Sequence, residues 1–189
     1  MLKGQRCLTA KCAMERRAYP PGEWSQRGRK VSAYGIQLRE KQKARRIYGI
    51  LERQFRRHFR EAAALRGVTG QSLIHILESR LDSVVYRLGF AASRIQARQL
   101  VRHGHIQVDG KRVTIPSYRV KVGQPVSVKS ASREMVPIAE AFDAARRIGL
   151  PAWLERDEEQ LTGRLTRLPS VEEVQLPVKE QFIVELYSR

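Results

Sequence analysis

The spacing of apolar residues changes several times along this chain, and each change marks an element. Over residues 36–64, Ile47, Leu51, Phe55 and Phe59 recur every four positions, which predicts a helical stretch with a buried stripe. Gly49 predicts a break that makes it two helices. Beyond a polar turn at 67–71, Leu73, Leu77, Leu81, Val84 and Leu88 continue the helical repeat, as two helices joined near Arg80 and ended by Gly89. Ser93 with Gln96 three residues later is a capping box. Ala97, Leu100 and Val101 then share one side of a short helix that Gly104 stops. The period falls to two where Ile106, Val108 and Val113 flank Asp109-Gly110, the dipeptide that most favours a type I′ hairpin. Stretches 118–122 and 125–129, parted by Gly123-Gln124, predict further strands. Residues 133–148 predict a helix with Met135, Ile138, Ala141, Phe142 and Ala145 inward. Residues 153–168 predict two short strands around 157–160 and Gly163, and 169–177 a mostly irregular connection. Phe182, Ile183 and Leu186 suit a short amphipathic helix or a strand. Residues 1–35 have no apolar period and contain Pro20-Pro21-Gly22, so they read as an extension.

The polar positions have a pattern of their own. Arg39, Lys43, Arg46, Arg53, Arg57 and Arg60 form a stripe about 150° from the apolar one at 100° per residue. Solvated helix faces normally mix acids with bases for i,i+4 pairing, but Glu40 and Glu52 are the only acids between residues 36 and 60. A cationic stripe of this kind calls for an anionic partner. Arg94, Arg98 and Arg102 make a second ridge at i, i+4 and i+8, beside Lys111 and Arg112 on the hairpin. Over all 189 residues, 36 Lys+Arg face 19 Asp+Glu, a formal charge of +17. The first 60 residues hold 17 basic and four acidic side chains, and the other 129 hold 19 and 15. Nucleic acid is the leading partner class and an anionic membrane surface the second. No apolar run approaches the ~18–20 residues of a membrane span, and with nucleic acid the leading class no membrane partner is expected.

Reactive chemistry is scarce. Cys7 and Cys12, spaced C-x4-C, match half of a four-ligand zinc site, and no second half accompanies them. Two cysteines are too few for a disulfide framework and fit a reducing compartment. There is no Gly-rich phosphate loop and no nucleophile elbow, so neither a small-molecule substrate nor a cofactor is expected. Asp82, within Arg80-Leu81-Asp82, admits two readings: a catalytic aspartate of pseudouridine-synthase type, or a helix-start carboxylate near free backbone N–H groups. The helix-patterned residues after it lack a small polar turn and favour the second. Five Phe, six Tyr and two Trp mostly lie on apolar stripes, which disfavours a single-strand stacking platform. Contact with phosphates of folded, helical RNA fits better.

Several runs resemble the family of bacterial small-subunit ribosomal protein four: AYGIQLREKQKARRIYG at 33–49, LERQF at 51–55, RLDSVVYRLGF at 80–90, SRIQARQLVRHGHIQVDG at 93–110, PAWL at 151–154 and IVELYS at 183–188. The resemblance covers essentially the whole chain with its motifs in order. The part over 80–129 is a small RNA-binding module that pseudouridine synthases and some tRNA synthetases also carry, and the flanking runs make the likeness specific. The implied fold is α+β. A basic N-terminal extension (1–35) precedes a mostly helical domain (36–78, completed by 177–189). An inserted α+β domain (79–176) has a small antiparallel sheet with a helix pair. The resemblance further implies a cytoplasmic, non-enzymatic protein of the small ribosomal subunit, which binds a multi-helix junction of the rRNA and nucleates assembly. It implies contact with neighbouring ribosomal protein five. Arg27, Arg29 and Lys30 would lie near the channel where messenger RNA enters, contributing to translational accuracy. Zinc-bearing members carry a C-x2-C pair upstream of the one matched by Cys7 and Cys12. This sequence has no such pair, so no metal is expected.

Overall fold

The computed structural model describes residues 4–19 and 31–188. Gly4–Leu8 is a 3-10 turn and α1 spans Ala13–Arg16. Both fall where the sequence predicts only an extension. A Cβ at Gly4 would meet the Ala92 carbonyl oxygen at 2.9 Å, so this glycine allows the segment to lie close against the body of the protein.

Helix α2 (Ala33–Ile47) begins three residues before the predicted start because the Ser32 hydroxyl accepts from the Gly35 N–H. It ends at Tyr48, and Gly49 takes a φ of +62°, a left-handed value that costs glycine little. Helix α3 (Glu52–Ala64) then starts in a new phase. Leu51 therefore does not continue the buried stripe: as the N-cap of α3 it is 77% exposed, while Ile47 is half-buried and Phe55 and Phe59 are buried. Helices α4 (Thr69–Glu78) and α5 (Leu81–Arg87) meet at Ser79-Arg80, as the repeat predicts.

Helix α6 (Arg94–His103) is capped by Ser93, whose hydroxyl accepts from the Gln96 N–H at 3.2 Å. The reciprocal bond differs from a strict capping box, because the Gln96 side chain accepts from Ala92 N–H rather than from Ser93. Gly104 closes the helix at φ +78°. The hairpin of β1 (Ile106–Val108) and β2 (Lys111–Arg112) turns on Asp109 and Gly110, both with positive φ, as a type I′ turn requires.

The remaining strands are β3 (Pro125–Val128), β4 (Leu154–Asp157) and β5 (Thr162–Leu165), and the antiparallel sheet runs β2-β1-β3-β5-β4. Register pairs Ile106 with Val128 and Val108 with Val126, so alternate residues of both strands point into the core. Residues 118–122 do not form the expected strand. Their backbone instead joins the α4–α5 corner: Leu81 N–H donates to Tyr118 O at 2.8 Å and Val120 N–H to Ser79 O at 2.8 Å, leaving one bridge between Arg80 and Arg119.

Helix α7 (Val136–Ile148) buries Ile138, Ala141 and Phe142. Within the connection read as irregular, α8 (Val171–Val174) makes one turn under a full capping box of Ser170 and Glu173. The chain closes on a helix, α9 (Glu180–Tyr187).

Two hydrophobic cores result. One gathers Ala44, Tyr48, Phe55, Phe59, Leu73, Leu77 and Ile183, so α9 completes the helical side. Tyr187 adds to it, with its ring 4.6 Å from that of Phe59 and its hydroxyl donating to Glu52 at 2.8 Å. The other gathers Leu81, Val84, Leu88, Leu100, Val101, Val126 and Trp153 between helices α5–α7 and the sheet. The molecule is α+β, as expected.

Candidate nucleic-acid interface

Because α3 buries Phe55, His58, Phe59 and Ala62, the 3.6-residue period turns Arg53, Arg56, Arg57 and Arg60 outward together. With Glu52 and Gln54 they line an open concavity of about 790 Å³. Arg39, Lys43 and Arg46 of α2 are exposed as well. Of the nearby acids, one pairs with Lys43 of the stripe and the others are engaged elsewhere. Glu52 pairs with Lys41 at 2.9 Å and Arg45 at 3.2 Å, Glu40 pairs with Lys43 at 2.6 Å, and Glu61 pairs with Arg119. Among the described residues Arg39, Arg46, Arg53, Arg56, Arg57 and Arg60 have no ion pair. The concavity lined by the four α3 guanidinium groups focuses field lines and attracts a polyanion.

The α6 ridge divides rather than facing one way. Arg102 is exposed, as are Lys111 and Arg112 on the hairpin, where Arg112 Nη2 lies 3.5 Å from the His103 carbonyl oxygen. Arg98 is half outward, with Nη1 3.5 Å from Asp82. Arg94 turns inward, its side chain 12% exposed and its Nη2 3.0 Å from the buried Glu78 carboxylate. The i, i+4, i+8 spacing fixes the angle around a helix but says nothing of what stands opposite. Arg56 belongs to the cationic face and was missed, although its place between Arg53 and Arg60 was the available signal. The seam residues Tyr48, Glu78 and Arg87 were missed too, and Glu78 at the end of an apolar helix was their one clue.

Asp82 has the geometry of a structural carboxylate. It is 3% exposed; Arg80 donates to both its oxygens, from Nε at 3.2 Å and Nη2 at 3.0 Å, and the Ser83 N–H donates at 3.1 Å. A carboxylate enclosed this way presents no free face to a base. Across the same seam, Arg119 lies 3.4 Å from His58 Nδ1. Burial, with Arg80 and Arg119 beside it, pushes the His58 imidazole down to about 4.

Cys7 and Cys12 are half-buried and share no disulfide, and among the described residues no three His, Cys, Asp or Glu side chains gather as a metal site. Arg27, Arg29 and Lys30 lie outside the described residues. No described helix is long and apolar enough to cross a membrane.

Sequence comparison places these two basic surfaces within known models. Residues 1–78 match the ribosomal protein S4/S9 N-terminal domain, and residues 79–126 match the S4 domain. The small ribosomal subunit protein uS4 of Geotalea daltonii is 56% identical over 188 residues, covering all of this chain and 90% of that protein. Its counterparts in Natranaerobius thermophilus and Thermodesulfovibrio yellowstonii are 57% and 53% identical over 189 and 188 residues, with the same coverage. A cationic helical face, a hairpin module that carries the second, and a likeness running from end to end have one common reading: the chain belongs to the family of the small ribosomal subunit protein uS4.

Proposed function

We propose that this protein is a non-enzymatic scaffold of the small ribosomal subunit that binds its rRNA. The observation that carries this reading is the α2–α3 face, where six arginines stand exposed without an acid partner among the described residues. Arg39, Arg46, Arg53, Arg57 and Arg60, with Arg56 and with Lys43, whose ammonium also pairs with Glu40, contact phosphates from the helical side. Arg102, Lys111, Arg112 and the outward part of Arg98 do so from the module. Charge-assisted contacts of this kind position RNA by its backbone and release counterions.

The finer reading draws on family membership and on the motifs quoted from the sequence. The target is a multi-helix rRNA junction, and binding there nucleates assembly of that region in the cytoplasm. Ribosomal protein five is a neighbour. Arg27, Arg29 and Lys30 lie near the channel where messenger RNA enters and contribute to translational accuracy. The chain divides into an extension (1–35), a helical domain (36–78 with 177–189) and an α+β domain (79–176), and the two separate hydrophobic cores support the distinction between the last two.

Affinity for junction RNA, measured against salt, tests the phosphate-contact account. Six contacts give a log–log slope of roughly −5 if the RNA behaves as B-DNA does. A nearly flat dependence refutes it. Crosslinking and sequencing of bound rRNA tests the junction, and reads distributed evenly over the rRNA would exclude it.

A further inference from the structure

At the seam between the two cores lies a carboxylate with no exposed surface. Glu78, the last residue of α4, is 0% exposed and is held by three donors from different segments. The Tyr48 hydroxyl, just past α2, donates at 2.7 Å. Arg87 of α5 donates through Nε at 3.1 Å and Nη2 at 3.0 Å, and Arg94 of α6 through Nη2 at 3.0 Å. Arg87 Nη2 also donates to Val174 O at 3.0 Å, which brings in α8. The Arg94 guanidinium carbon lies 4.8 Å from the Tyr48 ring centre and 4.7 Å from that of Tyr86. Burial alone would raise the Glu78 carboxyl; Arg87 and Arg94 outweigh it and hold it below the usual carboxylate range.

We propose that Arg94 is a positioning residue: stacked on two tyrosines and paired with Glu78, it fixes the α3 basic face relative to the α6–hairpin surface and does not itself contact phosphate. The inference rests on the rRNA-binding reading above. Tyrosine rings and a buried carboxylate occupy its guanidinium, while Arg98 and Arg102 of the same helix keep their outward placements. Two surfaces held in one geometry meet a rigid RNA without a reorientation cost, so each raises the effective concentration of the other. A lysine would keep the charge but lose the planar group that stacks on the rings.

The test uses the full chain and a transcript of the small-subunit rRNA, with affinity measured across a salt series for wild type, Arg94→Gln, Arg94→Lys and Arg53→Gln. Both Arg94 variants should bind roughly tenfold more weakly with the wild-type salt slope. Arg53→Gln, which removes a solvent-facing cation, should flatten the slope by roughly 0.9 on the B-DNA scale. A slope lowered by one charge or more in the Arg94 variants overturns the proposal, as does wild-type affinity in Arg94→Lys. A second readout needs no RNA. Spin labels at Gln54→Cys and Gln99→Cys, in a Cys7→Ser, Cys12→Ser background, should give a broader distance distribution with Arg94→Gln than without it. An unchanged distribution overturns the proposal. If Arg94→Gln fails to fold, Arg94→Lys takes its place, since it keeps a charge beside Glu78 and loses the planar group that stacks on the rings. It should broaden the distribution too, and label distances that stay as narrow as in wild type overturn the proposal equally. Wild type that ignores the transcript would refute the rRNA reading while leaving the label distances to test the positioning role of Arg94.

Discussion

Asp82 and Arg80 form a buried pair, 3% exposed each, in which the carboxylate satisfies the guanidinium and a backbone N–H. Asp82→Asn leaves Arg80 charged and buried with its partner neutralised, so urea unfolding should register a loss of about 3 kcal/mol. His58 works in the opposite charge sense, because burial first and then its neighbours Arg80, Arg119 and Arg57 disfavour imidazolium, and Glu61 only partly offsets them. The unfolded imidazole titrates near 6.5 and the folded one near 4, so between these values the unfolded chain binds more protons. The contribution of neutral His58 is therefore complete above pH 6.5 and is lost as pH falls toward 4. Over that window wild type should lose up to about 3 kcal/mol more than His58→Gln. Neither environment was legible in the sequence in full. The Arg80-Leu81-Asp82 run indicated a helix-start carboxylate, and Asp82 is one, in the first turn of α5. That Arg80 folds back onto it, and that Arg119 crosses from 61 residues away to His58, are tertiary facts without a local signal.

At the scale of elements, most of the fold could be read because local chemistry and burial agree. Gly104 and Asp109-Gly110 fixed a helix end and a turn, and the paired strands around Gly163 form as expected. Gly163 also shows why that hairpin needs its glycine. A Cβ there would stand 2.9 Å from the Glu155 carbonyl oxygen on β4 and closer still to the Leu88 side chain, just past α5. Gly163→Ala should cost about 2 kcal/mol, seen as a Tm lower by about 4–8 °C for a chain of this size. Where the reading failed, a competing tertiary demand won. Residues 118–122 carry β-forming side chains, but their peptide groups are taken by Ser79 and Leu81 at the helix corner. Leu51 kept the four-residue spacing across a break at Gly49 that resets the phase of the helix. One-turn α8 escaped notice because a single capping box in a short segment carries no periodicity.

For the molecule as a whole, a formal charge of +17 makes salt act on the free protein and on its RNA complex with opposite signs. On α3, Arg53, Arg56, Arg57 and Arg60 stand three or four residues apart, as the like-charge pairs 53/56, 53/57, 56/60 and 57/60. Each such pair costs roughly 0.2–0.5 kcal/mol when poorly screened, so the face carries about 1–2 kcal/mol of self-repulsion. The exposed ion pairs Arg146–Glu158, Arg164–Glu155 and Arg167–Glu173 would lose stability on screening, but many fully solvated pairs of that kind contribute nothing measurable. The repulsion therefore dominates. As the Debye length shrinks from about 30 Å at 0.01 M to about 8 Å at 0.15 M, the Tm of the RNA-free chain should rise by a few degrees. Over the same range its affinity for rRNA should fall steeply. Replacing Arg53 and Arg57 together by Gln should separate the two effects. The variant should melt higher than wild type at low salt, gain less from added salt, and bind rRNA more weakly with a flatter slope. Thermal melts in which the RNA-free wild type is indifferent to salt, or in which the variant gains nothing at low ionic strength, would mean that the arginine face is not strained by its own charge. A face relieved only by its partner sacrifices stability when alone for affinity when bound, and the melting curves measure that exchange directly.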